Sequence, residues 1–475
     1  MPIAHLPRTR SLALAILAAL GACEQARSMV IDGSCVLHDA ILAANTDTAV
    51  GTCPAGNGHD TIVFVTDYFG NGTDLPPVLS DIDFVGNFGS PPTLSNEGTN
   101  RMFFIGGEDA LGNPIAPQVS FANLNLSSAT AQARAGADGA GGGAGMGGAV
   151  FVYAGDVSFS HVNFSSNGAD GGAGSTLGTS IGKGGGGAGG MNGAGGAGGA
   201  VQHGGTGGAF GFGGGGGGGG AKFLSESGGG NGGHGGFATG GAGGQNAGAA
   251  AILGGFGGGG GGAASAVGPG DSAPTGANGG FGGGGGGGGA GGTGGTGGLG
   301  GNGGWGGGGG AGGSGAITGG GGNGGFGAGG GSAGRGGNAF GNSGGAGFGG
   351  VNAELGGGGA GAGFGGAVFV RSGTVNIQNS SFTGNSAIAG TSSPGTAMAK
   401  GGAIFALTSL TAPDGNTQGY PATLPVVVGC ANTFGSNTAA SAGSTDKDNP
   451  DTYGVSRAGL VYPACDRIFG NDFEG

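Results

Sequence analysis

The chain has 475 residues, 145 of them Gly and 17 Pro, with 8% charged residues and a formal net charge of −12. Collagen is excluded, because the glycines keep no strict three-residue period and Pro269 and Pro274 stand alone in the glycine-rich region. The low charge separates the chain from the usual disordered class. No cluster of Lys and Arg is present, so nucleic acid, which is bound by displacing counterions, is set aside as a partner.

Arg8 and Arg10 precede an apolar run, Ser11 to Ala22, that is too short to span a bilayer and reads as an export signal (1–22). No later run is long and apolar enough for a membrane helix, so no transmembrane span is expected in the mature chain. The signal ends in Leu20-Gly21-Ala22-Cys23, which resembles the lipobox of bacterial lipoproteins and implies lipidation of Cys23. An ordinary cleavage nearby, with Cys23 incidental, is the alternative. The other four cysteines fall as Cys35 and Cys53 near the start and Cys430 and Cys465 near the end. Their placement predicts one local disulfide at each end in an oxidising compartment, with no Cys-x-x-Cys metal or redox motif.

A short strand (29–31) leads through Asp32-Gly33 into a predicted helix, 37–45, with Leu37, Ala40, Ile41 and Ala44 on one apolar face. Such a helix would cover the open edge of a first coil. Asp60 to Val65 follows as the first buried strand. This stretch resembles the N-terminal module named for its Cys-Ser-Leu-Arg-Glu-Ala core, found on exported bacterial β-helix proteins. Matching residues are Asp32-Gly33, Cys35, Leu37, Ala40-Ile41, Ala43-Ala44-Asn45, Gly51, Cys53 and Gly58 through Phe64. Val36, His38 and Asp39 depart from it, standing where the family has Ser, Arg and Glu. The resemblance implies location and fold, and no activity.

Two segments flanking the glycine-rich region are close copies, GGAVFVYAGDVSFSHVNFSSN at 147–167 and GGAVFVRSGTVNIQNSSFTGN at 365–385. Gly147 and Gly148 lead to Phe164 and Asn167, and Gly365 and Gly366 to Phe382 and Asn385, with 17 residues from first Gly to Phe in both. A third, interrupted copy runs from Gly401 and Gly402 to Phe434 and Asn437. The Phe is expected to stack on its equivalent in the next coil, and the Asn to cap a turn and bond its neighbour. Gly-Gly-Ala-(Ile/Val) with Phe-x-x-Asn resembles the repeats of chlamydial polymorphic outer-membrane proteins, which are right-handed parallel β-helices acting as surface adhesins. No run of barrel strands follows here, so self-transport is not implied. The tail 466–475 resembles the Phe-Glu ends of some exported gammaproteobacterial proteins. Together these features place the protein outside the cell or on the outer-membrane surface of a Gram-negative bacterium.

Between the first two copies, single aromatic residues interrupt the glycine at Phe212, His234, Phe256, Phe281, Trp305, Phe326 and Phe348, separated by 22, 22, 25, 24, 21 and 22 residues. That beat reads as a folded extension of the coil stack. Glycine loses more conformational freedom on ordering than any other residue, and a few aromatics cannot offset this. Order would have to come from backbone hydrogen bonds, in a narrow β-solenoid or in polyglycine-II-like helices. The alternative is a disordered loop. The resulting fold class is all-β, a right-handed parallel β-helix (pectin-lyase-like solenoid) with an N-terminal capping helix and this insert. Its expected divisions are 28–125 (cap and first coils), 126–170 (coils), 171–364 (glycine-rich tract) and 365–465 (C-terminal coils).

Chemistry is sparse. Glycine runs satisfy Gly-x-Gly-x-x-Gly by composition, and Lys183 lacks P-loop surroundings. Calcium-binding glycine repeats need an Asp in each unit, yet from 171 to 360 the acidic residues are Glu226, Asp271 and Glu354. Asp81 and Asp83 share a strand face and could form an acid–base or metal pair; the plain alternative is a solvated strand. His161, His234, Arg101, Arg134 and Arg371 read as isolated. No catalytic residue, cofactor or metal site is assigned. The sequence therefore reads as a non-enzymatic exported solenoid contacting glycans, matrix or a cell-surface protein. The alternative is a carbohydrate-active β-helix enzyme, a polysaccharide lyase or hydrolase, whose site assembles from separate coils.

Overall fold

A computed structural model describes residues 28–70, 74–96, 100–177, 183–199, 206–207, 213–220, 241–244, 248–336, 339–411, 416–463 and 465. The export signal, Cys23, Phe212, His234 and the tail 466–475 lie outside the described residues. The fold is all-β and built from parallel sheets. No helix among the described residues is long and apolar enough to cross a membrane.

The chain repeatedly visits four sheets in the same order. The first holds Ser28–Ile31, Asp60–Phe64, Ile82–Val85, Gln118–Ser127, Asp156–Ser165, Thr374–Gln378 and Val426–Cys430, each beside the next. The second holds Thr130–Gln132, Gly168–Asp170, Ser386–Ile388 and Thr438–Ala439. The third holds Gly145–Met146, Gly363–Phe364 and Ala399–Lys400. In the fourth, Phe103–Ile105, Val150–Val152, Val368–Val370, Ile404–Ala406 and Thr452–Tyr453 follow one another. All these pairings are parallel, so equal residues stack: Val150 faces Val368, and Val368 faces Ile404. The division expected at 125/126 falls inside Gln118–Ser127 and marks no break.

At the N-terminal end, helix α1 (Leu37–Thr46) buries Leu37, Ala40, Ile41, Ala43 and Ala44 in the main core. Its Asn45 side chain donates to Pro77 O at 2.7 Å and accepts from Leu79 N at 2.8 Å, fixing the helix to the following connection. Disulfides join Cys35 to Cys53 and Cys430 to Cys465. The second holds the C-terminal segment, including helix α2 (Arg457–Val461), against the last strand of the first sheet.

Identical side chains form ladders through the interior. Phe164 stacks on Phe382 at 4.6 Å, and Phe382 on Phe434 at 5.0 Å, with planes within 8°. Asn167 Nδ2 donates to Asn385 Oδ1, and Asn385 Nδ2 to Asn437 Oδ1, both at 3.0 Å. Each acceptor oxygen also takes the backbone N–H of the Asn before it. The Asn groups thus satisfy the turn's donors in a place water does not reach.

Asn167 and Asn385 touch although 218 residues separate them. This corrects the expectation that the glycine-rich tract extends the coil stack. The flanking copies pair with each other directly, and the tract is a lateral excursion at the corner between the second and third sheets. Its described runs carry neither helix nor strand, yet they are densely hydrogen-bonded. Gly260, Ala263 and Ala266 donate to Gly284, Gly287 and Ala290; Gly285, Gly288 and Gly291 donate to Gly308, Ala311 and Ser314, all at 2.8–3.0 Å. The offset residues Gly284, Gly287 and Ala290 donate instead to Gly214, Gly217 and Gly220. Each run therefore turns a different neighbour every residue and returns to the same one every third. The hydrogen bonds between runs thus recur at every third residue. At many of the contacts between runs only glycine fits: a Cβ on Gly304 would overlap Gly280 O.

The bundle starts from the corners of the sheets themselves. Gly172 donates to Gly143, Gly361 to Gly172 and Gly390 to Gly361; Gly172 and Gly390 lie two residues after strands of the second sheet, Gly143 and Gly361 two residues before strands of the third. Its runs reverse at aromatic–glycine turns, where Gly257, Gly282, Gly306, Gly327 and Gly349 have φ of +72 to +83°. Such turns need glycine at their third position, which leaves the aromatic just before it. Over 256–348 the regular beat in the sequence is this turn repeated.

Candidate functional site

The turn aromatics stack in order, Phe256, Phe281, Trp305, Phe326 and Phe348, with centroids 4.3–6.0 Å apart. They face a second ladder on the outside of the fourth sheet, Phe104, Phe151, Phe369, Phe405 and Tyr453, spaced 4.7–5.1 Å. Edge-on contacts join the two, such as Phe281 to Tyr153 at 4.8 Å and Phe326 to Phe369 at 6.1 Å. Val150 and Val152 meanwhile point into the main core, so Val150–Val152 is buried on both faces. A strand of that kind reads as an unbroken apolar run rather than an alternation.

Arg101 and Arg371, read as isolated, lie against these aromatic rings, which corrects that reading. Arg371 Nε donates to Gly419 O at 2.8 Å and Nη1 to Tyr153 O at 3.2 Å, with its guanidinium 4.0 Å from the Tyr153 ring centre. Burial holds the Arg371 pKa below its usual value, opposed by Tyr153 and Glu108. Arg101 donates to the carbonyls of Met146 and Gly147, and burial lowers its pKa to about 10 against the attraction of Asp74. Arg134 reaches Asn192 O at 3.3 Å. The connection through 416–420 straps the aromatic turns from outside: Asn416 donates to Gly303 O at 2.6 Å and Gln418 to Gly279 O at 2.9 Å.

Among the described residues, two concavities of several hundred Å³ carry polar side chains. The first is a groove of about 440 Å³ on the outer face of the first sheet, lined by His59, Asp83, Ser120, Asp156, Ser158 and Asn376 among others. Asp83 accepts from Ser120 Oγ and lies 3.0 Å from His59 Nε2. A nucleophilic triad needs the imidazole between hydroxyl and carboxylate; here the carboxylate stands between them. Asp81 is engaged elsewhere, accepting from Gln118 N at 2.7 Å, so the two aspartates do not form the pair considered from sequence. His161 is exposed, beside Ser160 and 6.0 Å from Phe88.

The second concavity, about 560 Å³, opens where the fourth sheet passes into the first. Its floor holds Glu108, Tyr153 and Arg371, and Asp156 lies at its margin. Glu108 comes from an antiparallel hairpin, Gly107–Glu108 with Pro114–Ile115, whose loop is closed by Asp109 accepting from Leu111 N and Asn113 N. The hairpin brings the carboxylate onto the Tyr153 hydroxyl, which donates to it. Burial pushes the Tyr153 pKa up, Arg371 opposes the rise, and the Glu108 hydrogen bond adds to it. The phenol therefore stays protonated and donating.

Sequence reasoning missed this cleft because its residues lie at 108, 153, 156, 371 and 420. It also missed a readable signal in the tract, Asn-Gly-Gly-aromatic at Asn278, Asn302 and Asn323. Asn278 Oδ1 accepts from Asn302 N, Asn302 Oδ1 from Asn323 N and Asn323 Oδ1 from Gly345 N, each at 2.8 Å. This repeats, in the bundle, the chemistry of the Asn ladder in the sheets. No known protein family, curated protein or solved structure matches the chain.

Proposed function

We propose that the four sheets are the faces of a right-handed parallel β-helix, and that the tract is a polyglycine-II-like bundle rooted in its corners. On this reading the protein is exported to the surface or exterior of a Gram-negative cell and makes non-enzymatic contact with glycans, matrix or a cell-surface protein. The resemblances at 29–70 and in the Gly-Gly-Ala and Phe-x-x-Asn repeats support the fold and the location, and the two disulfides fit an oxidising compartment.

The observation that carries the contact role is the outer row of the bundle. Leu253, Leu299, Ile317, Thr275, Asn323 and Asn342 are exposed there on a hydrogen-bonded backbone. A display held rigid before binding loses little entropy on contact. Incubating the full chain with insoluble polysaccharides and matrix proteins tests this: retention without soluble product is expected. Product release abolished by Asp83→Ala would overturn it in favour of a lyase or hydrolase. Palmitate labelling of the wild type and of Cys23→Ser decides between a lipid anchor and simple cleavage.

A further inference from the structure

We propose that the cleft between Glu108, Tyr153, Arg371 and the 419–423 segment binds a neutral saccharide ring. The proposal rests on the contact reading above and gives it a specific ligand site. Three observations converge. The cleft's volume of about 560 Å³ falls within the range of small-molecule sites. Its walls are short and apolar, with Pro114, Ala116, Ala154, Pro421 and Ala422. These suit the C–H faces of a ring rather than a charged chain.

Its floor places donors and acceptors side by side with capacity to spare. A guanidinium has five N–H donors, and the two hydrogen bonds of Arg371 to protein use Nε and Nη1. Glu108 receives the Tyr153 hydroxyl on Oε1, and a carboxylate has about four acceptor positions. Adjacent hydroxyls of a sugar each donate and accept, which matches a carboxylate set beside a guanidinium. On the floor the charges of Glu108 and Arg371 face each other across Tyr153 and offset, which leaves Asp156 at the margin as the remaining carboxylate. Arg371 is 6% exposed and clamped by Gly419 O and by the Tyr153 ring, which fixes the geometry before a ligand arrives.

The antiparallel hairpin adds weight. It departs from the parallel order of the sheets, and its effect is to deliver Glu108 to this spot.

Titration calorimetry on the full chain tests the assignment, with cellobiose, maltose and N,N′-diacetylchitobiose as neutral probes, digalacturonate as an anion and spermidine as a cation. Binding of at least one neutral disaccharide is expected. Glu108→Gln, which keeps the shape but weakens the acceptor, should lower affinity by about tenfold. Ala422→Trp, at the exposed rim, should abolish binding by filling the cleft. Unchanged thermal unfolding and circular dichroism in both variants show that the fold survives. Absence of neutral-probe binding, tighter binding of either charged probe, or affinity unmoved in both variants overturns the proposal. Capture on insoluble polysaccharide separates the two claims. If Ala422→Trp is retained as well as the wild type, the cleft assignment falls while the contact role stands. If the wild type is not captured, the contact role falls.

Discussion

Gly344 and Gly345 are chain neighbours in one run of the bundle, and they should respond in opposite directions to the same substitution. At Gly345, an outward position, a new Cβ would meet nothing closer than Asn323 Oδ1 at 3.6 Å and Asn352 Oδ1 at 3.8 Å. Alanine there restricts the unfolded chain without a clash and should stabilise by about 0.4–1 kcal/mol. At Gly344 the Cβ would overlap Gly322 O. Making room strains a close-packed contact, at about 1–3 kcal/mol. It also disturbs the bonds from Gly344 N to Gly331 O and from Ala353 N to Gly344 O, each worth about 1 kcal/mol. The two substitutions should therefore differ by roughly 3 kcal/mol, about a hundredfold in the unfolding equilibrium. Trp305 is the single tryptophan, fully buried at a turn of the bundle, so its emission during urea unfolding reports on this region alone. Equal effects at the two positions, or greater damage at Gly345, would refute the three-residue packing.

Asn385→Ala should destabilise by about 3–5 kcal/mol, because it strands Phe164 O and the Asn167 donors in a buried ladder. Asn163→Ala removes two side-chain bonds at an exposed site of the neighbouring strand and should cost under about 1 kcal/mol by the same urea assay. Reduction should lower the melting temperature of the full chain, since opening the 18-residue and 35-residue disulfide loops forfeits about 3 and about 4 kcal/mol. Calorimetry with and without reductant measures it, and an unchanged transition would deny that these bridges hold the ends. Asp170 is held above the usual carboxylate pKa by burial, with one oxygen lacking a partner among the described residues. Its ionisation therefore opposes folding above the unfolded-state value of 3.8. Asp170→Asn should raise the melting temperature at pH 7, and the gain should vanish as pH falls below 3.8.

The parallel sheets were legible because their signals are side chains repeated at equal spacing. Gly147 to Phe164 and Gly365 to Phe382 span the same length, and in-register stacking is what such equality means physically. Helix α1 was legible from Leu37, Ala40, Ile41 and Ala44, which share one face at a 3.6-residue period. The tract resisted the same treatment. Glycine has no side chain to mark a face, so a beat of turns at Phe281, Trp305 and Phe326 could equally have belonged to stacked coils. The sampling that distinguishes them is by threes, carried by Asn278, Asn302 and Asn323 ahead of each aromatic. The arginines misled for another reason: Arg101 and Arg371 bond to backbone carbonyls and aromatic faces, and the carboxylates that attract them, Asp74 and Glu108, lie far away in the sequence. The cleft was invisible because four distant segments meet there.

Peptide-resolved amide hydrogen exchange across 255–350 of the full chain tests the central claim that the glycine tract is a hydrogen-bonded bundle built onto the sheets. Protection there comparable to that of Asp156–Ser165 is the expected result, since Gly285, Gly288, Gly309 and Gly312 donate to partners in neighbouring runs. Exchange of the whole region at unstructured rates, with Asp156–Ser165 still protected, would contradict it.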